Sequence, residues 1–141
     1  MAFVQVNHLK KTYQTKFSSN KVDALRDVHF EVEKGEFISI MGESGSGKTT
    51  LLNILATLDT PTVGNITLAG KDFSAIEESK LAAFRRNHLG FVFQDYNLLD
   101  TFSVRDNIYL PLVLSKEKVA VMEKRIAPLA VKLNISDLLE K

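Results

Sequence analysis

Between Phe37 and Leu55 the chain reads FISIMGESGSGKTTLLNIL, an apolar run, a loop with three glycines and a helically spaced apolar segment in direct succession. No other stretch restricts the possible folds so strongly. Phe37, Ile38, Ile40 and Met41 have the pattern of a short strand buried on both faces. From Lys48 onward, Leu51, Leu52, Ile54, Leu55 and Leu58 recur at helical spacing. Gly42, Gly45 and Gly47 let the backbone between strand and helix turn sharply and approach a ligand without Cβ clashes. The segment Gly42, Glu43, Ser44, Gly45, Ser46, Gly47, Lys48, Thr49 and Thr50 contains G-x-x-x-x-G-K-T, the pattern of a phosphate-binding loop. Its amides would converge on phosphate oxygens at a helix N-terminus, where the dipole favours negative charge. Lys48 is spaced to neutralise β- and γ-phosphates, and the Thr49 hydroxyl to ligate Mg²⁺. A glycine-rich turn that merely caps a helix is the plain alternative.

Around this loop the chain alternates strands and helices. Phe3, Val4 and Val6 suggest a strand ending near Tyr13, and Thr15 to Asn20 a polar hairpin loop. A second strand is expected over Leu25 to Val32, with Val28, Phe30 and Val32 on one face and His29 and Glu31 on the other. Lys34-Gly35 should turn the chain into the apolar run. After the loop helix, Pro61 and Gly64 force a turn, and Asn65 to Ala69 reads as a strand. Ser74 to Asn87 reads as a helix with an acidic start and a basic end, and Leu89 to Phe93 as a second buried strand. Gln94 would then stand at a strand's carboxyl end, the edge where ligands bind in open α/β sheets. On residue type alone it is either a ligand-facing amide or a solvated loop residue.

Later segments are helical in pattern. Ser103 and Asp106 form a capping pair, and Pro111 limits or kinks the helix they start. Lys116 to Leu133 places Val119, Met122, Ile126, Leu129 and Leu133 on one face, with a break or kink at Pro128. A formal net charge of +1 over 141 residues gives no electrostatic reason to expect nucleic acid or an anionic membrane as partner. With no cysteine there are no disulfides or thiolate metal sites. No apolar run approaches the roughly 20 residues that span a bilayer, and MAFVQVNHLKKTYQ lacks the layout of a signal peptide. A cytoplasmic location, without direct membrane insertion, is the expectation.

HLKKTY, MGESGSGKTTLLNIL, TPTVGNITLAGKD and LGFVFQDYNLL together resemble the nucleotide-binding subunit of an ATP-binding cassette (ABC) transporter. FRRNHLGFVFQDYNLLDTFSVRDNIYLPLVL is most similar to the branch of bacterial antimicrobial-peptide exporters of the bacitracin type, close to macrolide-export and lipoprotein-release ATPases. The resemblance implies an α/β P-loop NTPase (RecA-like) core, an N-terminal antiparallel β-subdomain and the start of an α-helical subdomain. It implies one ABC domain divided at 1–95 and 96–141, the first part carrying the β-subdomain and loop, the second the glutamine-loop continuation and helices. ATP and Mg²⁺ are the implied cofactors. Tyr13 matches the aromatic that stacks on adenine, and Gln94 the glutamine that ligates Mg²⁺ and senses the γ-phosphate. Lys48 and Gln94 are the catalytic candidates, and Thr49 and Gln94 the metal ligands. Asp95 to Asp106, with Leu98, Leu99 and Phe102, matches the region that receives a permease's coupling helix.

The implied partners are an integral-membrane permease and a second ATP-binding subunit, which puts the chain peripherally on the inner face of the cytoplasmic membrane. The implied function is to couple ATP binding and hydrolysis to export or removal of a peptide-like or lipophilic substrate. The 141 residues contain no LSGGQ-like signature and no apolar strand ending in Asp-Glu, and His8, His29 and His88 all precede Gln94. These histidines read as ordinary surface or strand residues. The expectation is a fragment, a split gene or a short product that binds ATP without useful hydrolysis, its buried-type strands left with exposed edges. A soluble ABC-type ATPase acting on DNA or the ribosome, and a non-catalytic nucleotide-binding module, are the rivals.

Overall fold

A computed structural model describes residues 2–14 and 20–141. The loop expected over Thr15 to Asn20 lies, apart from Asn20, outside the described residues. The chain forms two compact units, Met1–Leu89 and Gly90–Lys141.

The first unit is built on an antiparallel sheet. Strand β1 (Val4–Gln14) pairs with β2 (Lys21–Val32) on one side and β3 (Val63–Leu68) on the other, and β3 pairs with the short β4 (Lys71–Asp72), giving the order β2-β1-β3-β4. Val6 and Leu9 are both fully buried although three residues apart. In a regular strand they would face opposite sides. Register shifts between Val6 and Leu9, with His8 at φ 46°, turn both inward. Gly64 makes room for this irregularity. At φ 89° it lies so close to the Asn7 and His8 carbonyls that a Cβ would collide with both oxygens.

Helix α1 (Lys48–Leu55) packs Leu51 and Ile54 onto the core formed with Val6, Leu9, Leu25 and Ile66. Ala69 and Gly70, both with positive φ, turn β3 into β4. The helix expected from Ser74 starts instead at Glu78, as α2 (Glu78–His88). The Asp72 carboxylate accepts from the Ser74 amide at 2.8 Å, capping a separate 3-10 turn over Phe73–Ala75, and Ile76 is extended. Phe84 anchors α2, with the Phe73 ring edge-on at 5.4 Å and the His88 ring stacked at 4.6 Å. His8 stacks on His29 at 5.3 Å, with its Nδ1 3.0 Å from Asp27 Oδ1.

Neither expected buried strand forms. Residues 37–41 and 89–93 carry no strand pairing among the described residues, and Phe37, Met41 and Val92 stand 95%, 85% and 103% exposed. Apolar character alone does not make a strand, because its backbone amides and carbonyls need ladder partners. Gln94 accordingly lies on an exposed bend and not at the end of a strand.

In the second unit, Ser103 caps α3 (Val104–Leu114) by accepting from the Asp106 amide at 3.1 Å and donating to Asp106 Oδ2 at 2.8 Å. The Lys141 and Leu139 carbonyls accept from the Val104 and Arg105 amides, and Arg105 pairs with Glu140. Helix α4 (Val119–Lys132) runs through Pro128 without interruption. Its buried residues are Met122 and Ala130, with Ile126 half-buried; Val119, Leu129 and Leu133, expected on that face, are exposed.

Candidate nucleotide-binding site

The loop Gly42–Gly47 leads directly into α1. Gly45 and Gly47 have φ 80° and 91°, the left-handed backbone that glycine adopts without strain. Gly47 is also held from behind, since a Cβ there would run into the Ala24 carbonyl oxygen and lie 2.9 Å from Leu25 Cδ2 on β2. At Gly42 a Cβ would lie 2.6 Å from Ser46 Oγ. Glycine at 47 is thus required by space and by backbone angle, and at 45 by backbone angle, whereas at 42 a turn of the Ser46 side chain would relieve the contact.

Lys48 folds back over this loop. Its Nζ donates to the Gly42 and Glu43 carbonyls at 2.7 and 2.6 Å and to Ser46 Oγ at 3.3 Å. The ammonium therefore sits at the loop, held by neutral acceptors that an anionic ligand could replace. No acidic residue occupies the first turn of α1, so no carboxylate of that turn opposes a phosphate at its N-terminus. Thr49 is exposed beside Lys48 and Thr50 is half-buried. Among the described residues no group of three or more His, Asp or Glu could hold a metal by itself. That donor set fits Mg²⁺ carried by phosphate, with a hydroxyl as a protein ligand, and not an all-protein cage.

Tyr13 belongs to the same unit, at the far end of β1, and is 42% exposed. Its hydroxyl donates to Asp59 Oδ2 at 2.7 Å, while Lys11 Nζ donates to Asp59 Oδ1 at 2.6 Å and lies 4.8 Å from the Tyr13 ring centroid. Burial alone would raise the Asp59 pKa. Hydrogen bonds from Lys11, Tyr13 and the Thr60 amide, with the Lys11 charge, outweigh it and hold the carboxylate below its ordinary value. The sequence reading missed Lys11 and Asp59. The Lys-x-Tyr spacing and an aspartate just after the loop helix were the available signals.

Gln94 lies in the second unit, as do Leu98, Leu99 and Phe102, all exposed. The last three line a cavity of about 220 Å³. Asn107 fixes this segment: its Oδ1 accepts from the Leu99 amide at 2.8 Å and its Nδ2 donates to the Leu99, Phe102 and Ser103 carbonyls. A larger cavity of about 830 Å³, lined by Ile54, Pro61, Ile66, Phe73, Leu81 and Arg85 among others, involves no residue of the glycine loop.

A glycine loop entering a helix, laid against an antiparallel β-layer and followed by further helices, defines a P-loop α/β architecture with an N-terminal β-subdomain, here as part of an ABC ATPase domain. The chain belongs to the ABC transporter family, whose profile matches residues 25–141. It is 49% identical over 138 residues to the ABC transporter ATP-binding protein YxdL of Bacillus subtilis, covering 98% of this chain and 52% of that protein. It is 44% identical over 141 residues to the bacitracin export ATP-binding protein BceA of Halalkalibacterium halodurans, covering 100% of this chain and 55% of that one. A dimeric structure of MJ0796, a bacterial ABC transporter cassette, superposes with a TM-score of 0.84 at 32% identity, over 97% of this chain and 60% of that chain. The same cassette has been solved bound to ADP and Pi. The chain spans about half the length of the curated relatives it matches. No helix among the described residues is long and apolar enough to cross a membrane.

Proposed function

We propose that this chain is the nucleotide-binding part of an ABC transporter's ATP-binding subunit, with MgATP as its ligand. The observation that carries this reading is Lys48 lying across the left-handed loop at the free N-terminus of α1. The amides of Gly42 to Thr50 take the phosphates, Lys48 the β- and γ-phosphate charge, Thr49 the metal, and Tyr13 the adenine ring. Gln94 is assigned to Mg²⁺ and the γ-phosphate on the resemblance alone. Mg²⁺, when bound, neutralises phosphate charge that would otherwise oppose the transfer.

In the whole protein, segments 1–95 and 96–141 form parts of one ABC domain that pairs with a second ATP-binding subunit and docks a permease at the inner membrane face. Leu98, Leu99 and Phe102 are the docking residues in this reading. The name of the bacitracin-export relative supports a peptide-like substrate. A second reading, a module that binds ATP without turning it over, is favoured for these 141 residues because they contain neither an LSGGQ-like signature nor an Asp-Glu strand end.

Titration of MgATP into the 141-residue chain tests both readings. Binding is expected to weaken by about 30-fold or more in Lys48→Ala, with no steady phosphate release from either form. Absence of ATP binding by the folded chain would sink the first reading. Steady release abolished by Lys48→Ala would sink the second.

A further inference from the structure

We infer that Asp59 is a positioning residue for the Tyr13 ring, fixing through its two carboxylate oxygens, with Lys11 as counter-charge, the face that the ring offers to a nucleotide base. The inference rests on the base-stacking role proposed for Tyr13.

Asp59 is itself fixed to the loop helix. The Leu58 and Asp59 amides donate to the Asn53 carbonyl at 2.8 and 3.3 Å, so the carboxylate follows the last turn of the helix that Lys48 begins. The turn is clamped to β1 as well: the Thr62 amide donates to the Lys10 carbonyl at 2.8 Å, and the Thr12 amide to Thr62 Oγ1 at 3.0 Å. Lys11 Nζ adds the Thr60 carbonyl at 2.7 Å to its contact with Asp59. Against this frame the Tyr13 hydroxyl is tied to Asp59 Oδ2, and the Lys11 ammonium covers one ring face.

Tyrosine has two side-chain torsions, and these contacts restrain both. The ring is 42% exposed and Lys11 covers one of its faces; stacking would use the other, at a position set by the helix that carries the phosphate loop. A ligand spanning loop and ring meets a separation already fixed before it arrives. A fold-stabilising ion pair between β1 and the turn would show the same Lys11–Asp59 distance. It would not favour a nucleotide over its phosphates alone.

The test measures affinity of the full 141-residue chain for MgATP and for magnesium tripolyphosphate, which has no base. Tyr13→Phe and Asp59→Ala are each expected to weaken MgATP about three- to ten-fold while leaving tripolyphosphate unchanged. The double variant should bind no more weakly than the worse single, because both remove the same tie. Tyr13→Phe removes one hydroxyl from a 42% exposed side chain, so it keeps the test open if Asp59→Ala fails to fold. Should Tyr13→Ala leave MgATP affinity unchanged, the stacking role itself fails and the inference with it. If Tyr13→Ala weakens MgATP but Tyr13→Phe does not, stacking stands and positioning by Asp59 is overturned. Equal losses for both ligands in Asp59→Ala would also overturn it, leaving a purely structural tie.

Discussion

Val4, Val6 and Leu9 along β1, and Phe37, Ile38, Ile40 and Met41 after the turn at Gly35, are similar apolar stretches in the same unit with different fates, although Ile40 still packs against the core of the first. The first is paired on both sides, and Val6 and Leu9 lose all contact with solvent. The second is unpaired among the described residues, and Phe37 is 95% exposed. The difference is in pairing geometry and not in hydrophobicity. Antiparallel partners for β1 come from the next strand and from a return after α1, within 68 residues of chain. A parallel strand needs a neighbouring strand to complete its ladder, and none of the described strands pairs with this stretch.

The contrast can be broken most forcefully at the paired side. Leu9→Ala is expected to cost about 2–5 kcal/mol in urea unfolding, since a fully buried leucine leaves a cavity between sheet and α1. A cost near zero would mean that the sheet is not the stabilising core. Gly64→Ala should follow at about 2 kcal/mol, combining positive φ with collision against the Asn7 and His8 carbonyls. Gly70→Ala, at φ 79° with open space around it, carries only the backbone strain and should cost less. Equal costs at the two glycines would refute close packing at the β1 irregularity.

Acid sharpens the comparison next. Asp59 and Asp72 both have folded pKa values below the ordinary carboxylate value, Asp72 through hydrogen bonds from Asn65 and the Ser74 amide that outweigh its burial. A lowered folded pKa contributes stability that is complete above the unfolded value and disappears as pH falls through the folded one. Thermal melts should therefore be insensitive to these groups near neutrality and drop below about pH 4. In Asp59→Asn/Asp72→Asn that drop should shrink, whereas an unchanged acid limb would remove both carboxylates from the account. The smallest effect belongs to the unpaired side. Phe37→Ser should change stability by no more than about 0.5 kcal/mol, yet reduce binding of a hydrophobic dye and slow aggregation. A large loss of stability would show that Phe37 is packed after all.

Much of this was legible from residue order. Glycine spacing and a Lys-Thr helix start mark the loop before α1, where positive φ at Gly45 and Gly47 and the crowding at Gly47 leave few alternatives to glycine. The β-layer was legible from alternation in β2, where Val28 and Phe30 turn inward as expected. The irregularity at His8 was not, since a histidine at φ 46° carries no marker that distinguishes it from a regular strand residue. The start of α2 was misplaced because Asp72 captures the Ser74 amide, a competition between side chain and helix that periodicity does not register. On α4 the apolar stripe pointed to Val119, Leu129 and Leu133, but burial follows the neighbours that a helix finds, here at Met122, Ile126 and Ala130. The Tyr13 support was hidden for another reason: its partners are 46 and two residues away, and only the fold makes them one cluster.

The crowding of Gly47 against β2 has a consequence for binding energetics. With the Ala24 carbonyl and the Leu25 side chain behind it, the loop cannot retreat toward the sheet. Conformational freedom at Gly47 is largely lost when the sheet folds, so on the proposed function less remains to be lost there when phosphate binds. On the function proposed above, a substitution at Ala24 or Leu25, which need touch no ligand, would then be felt as a change in affinity for a triphosphate.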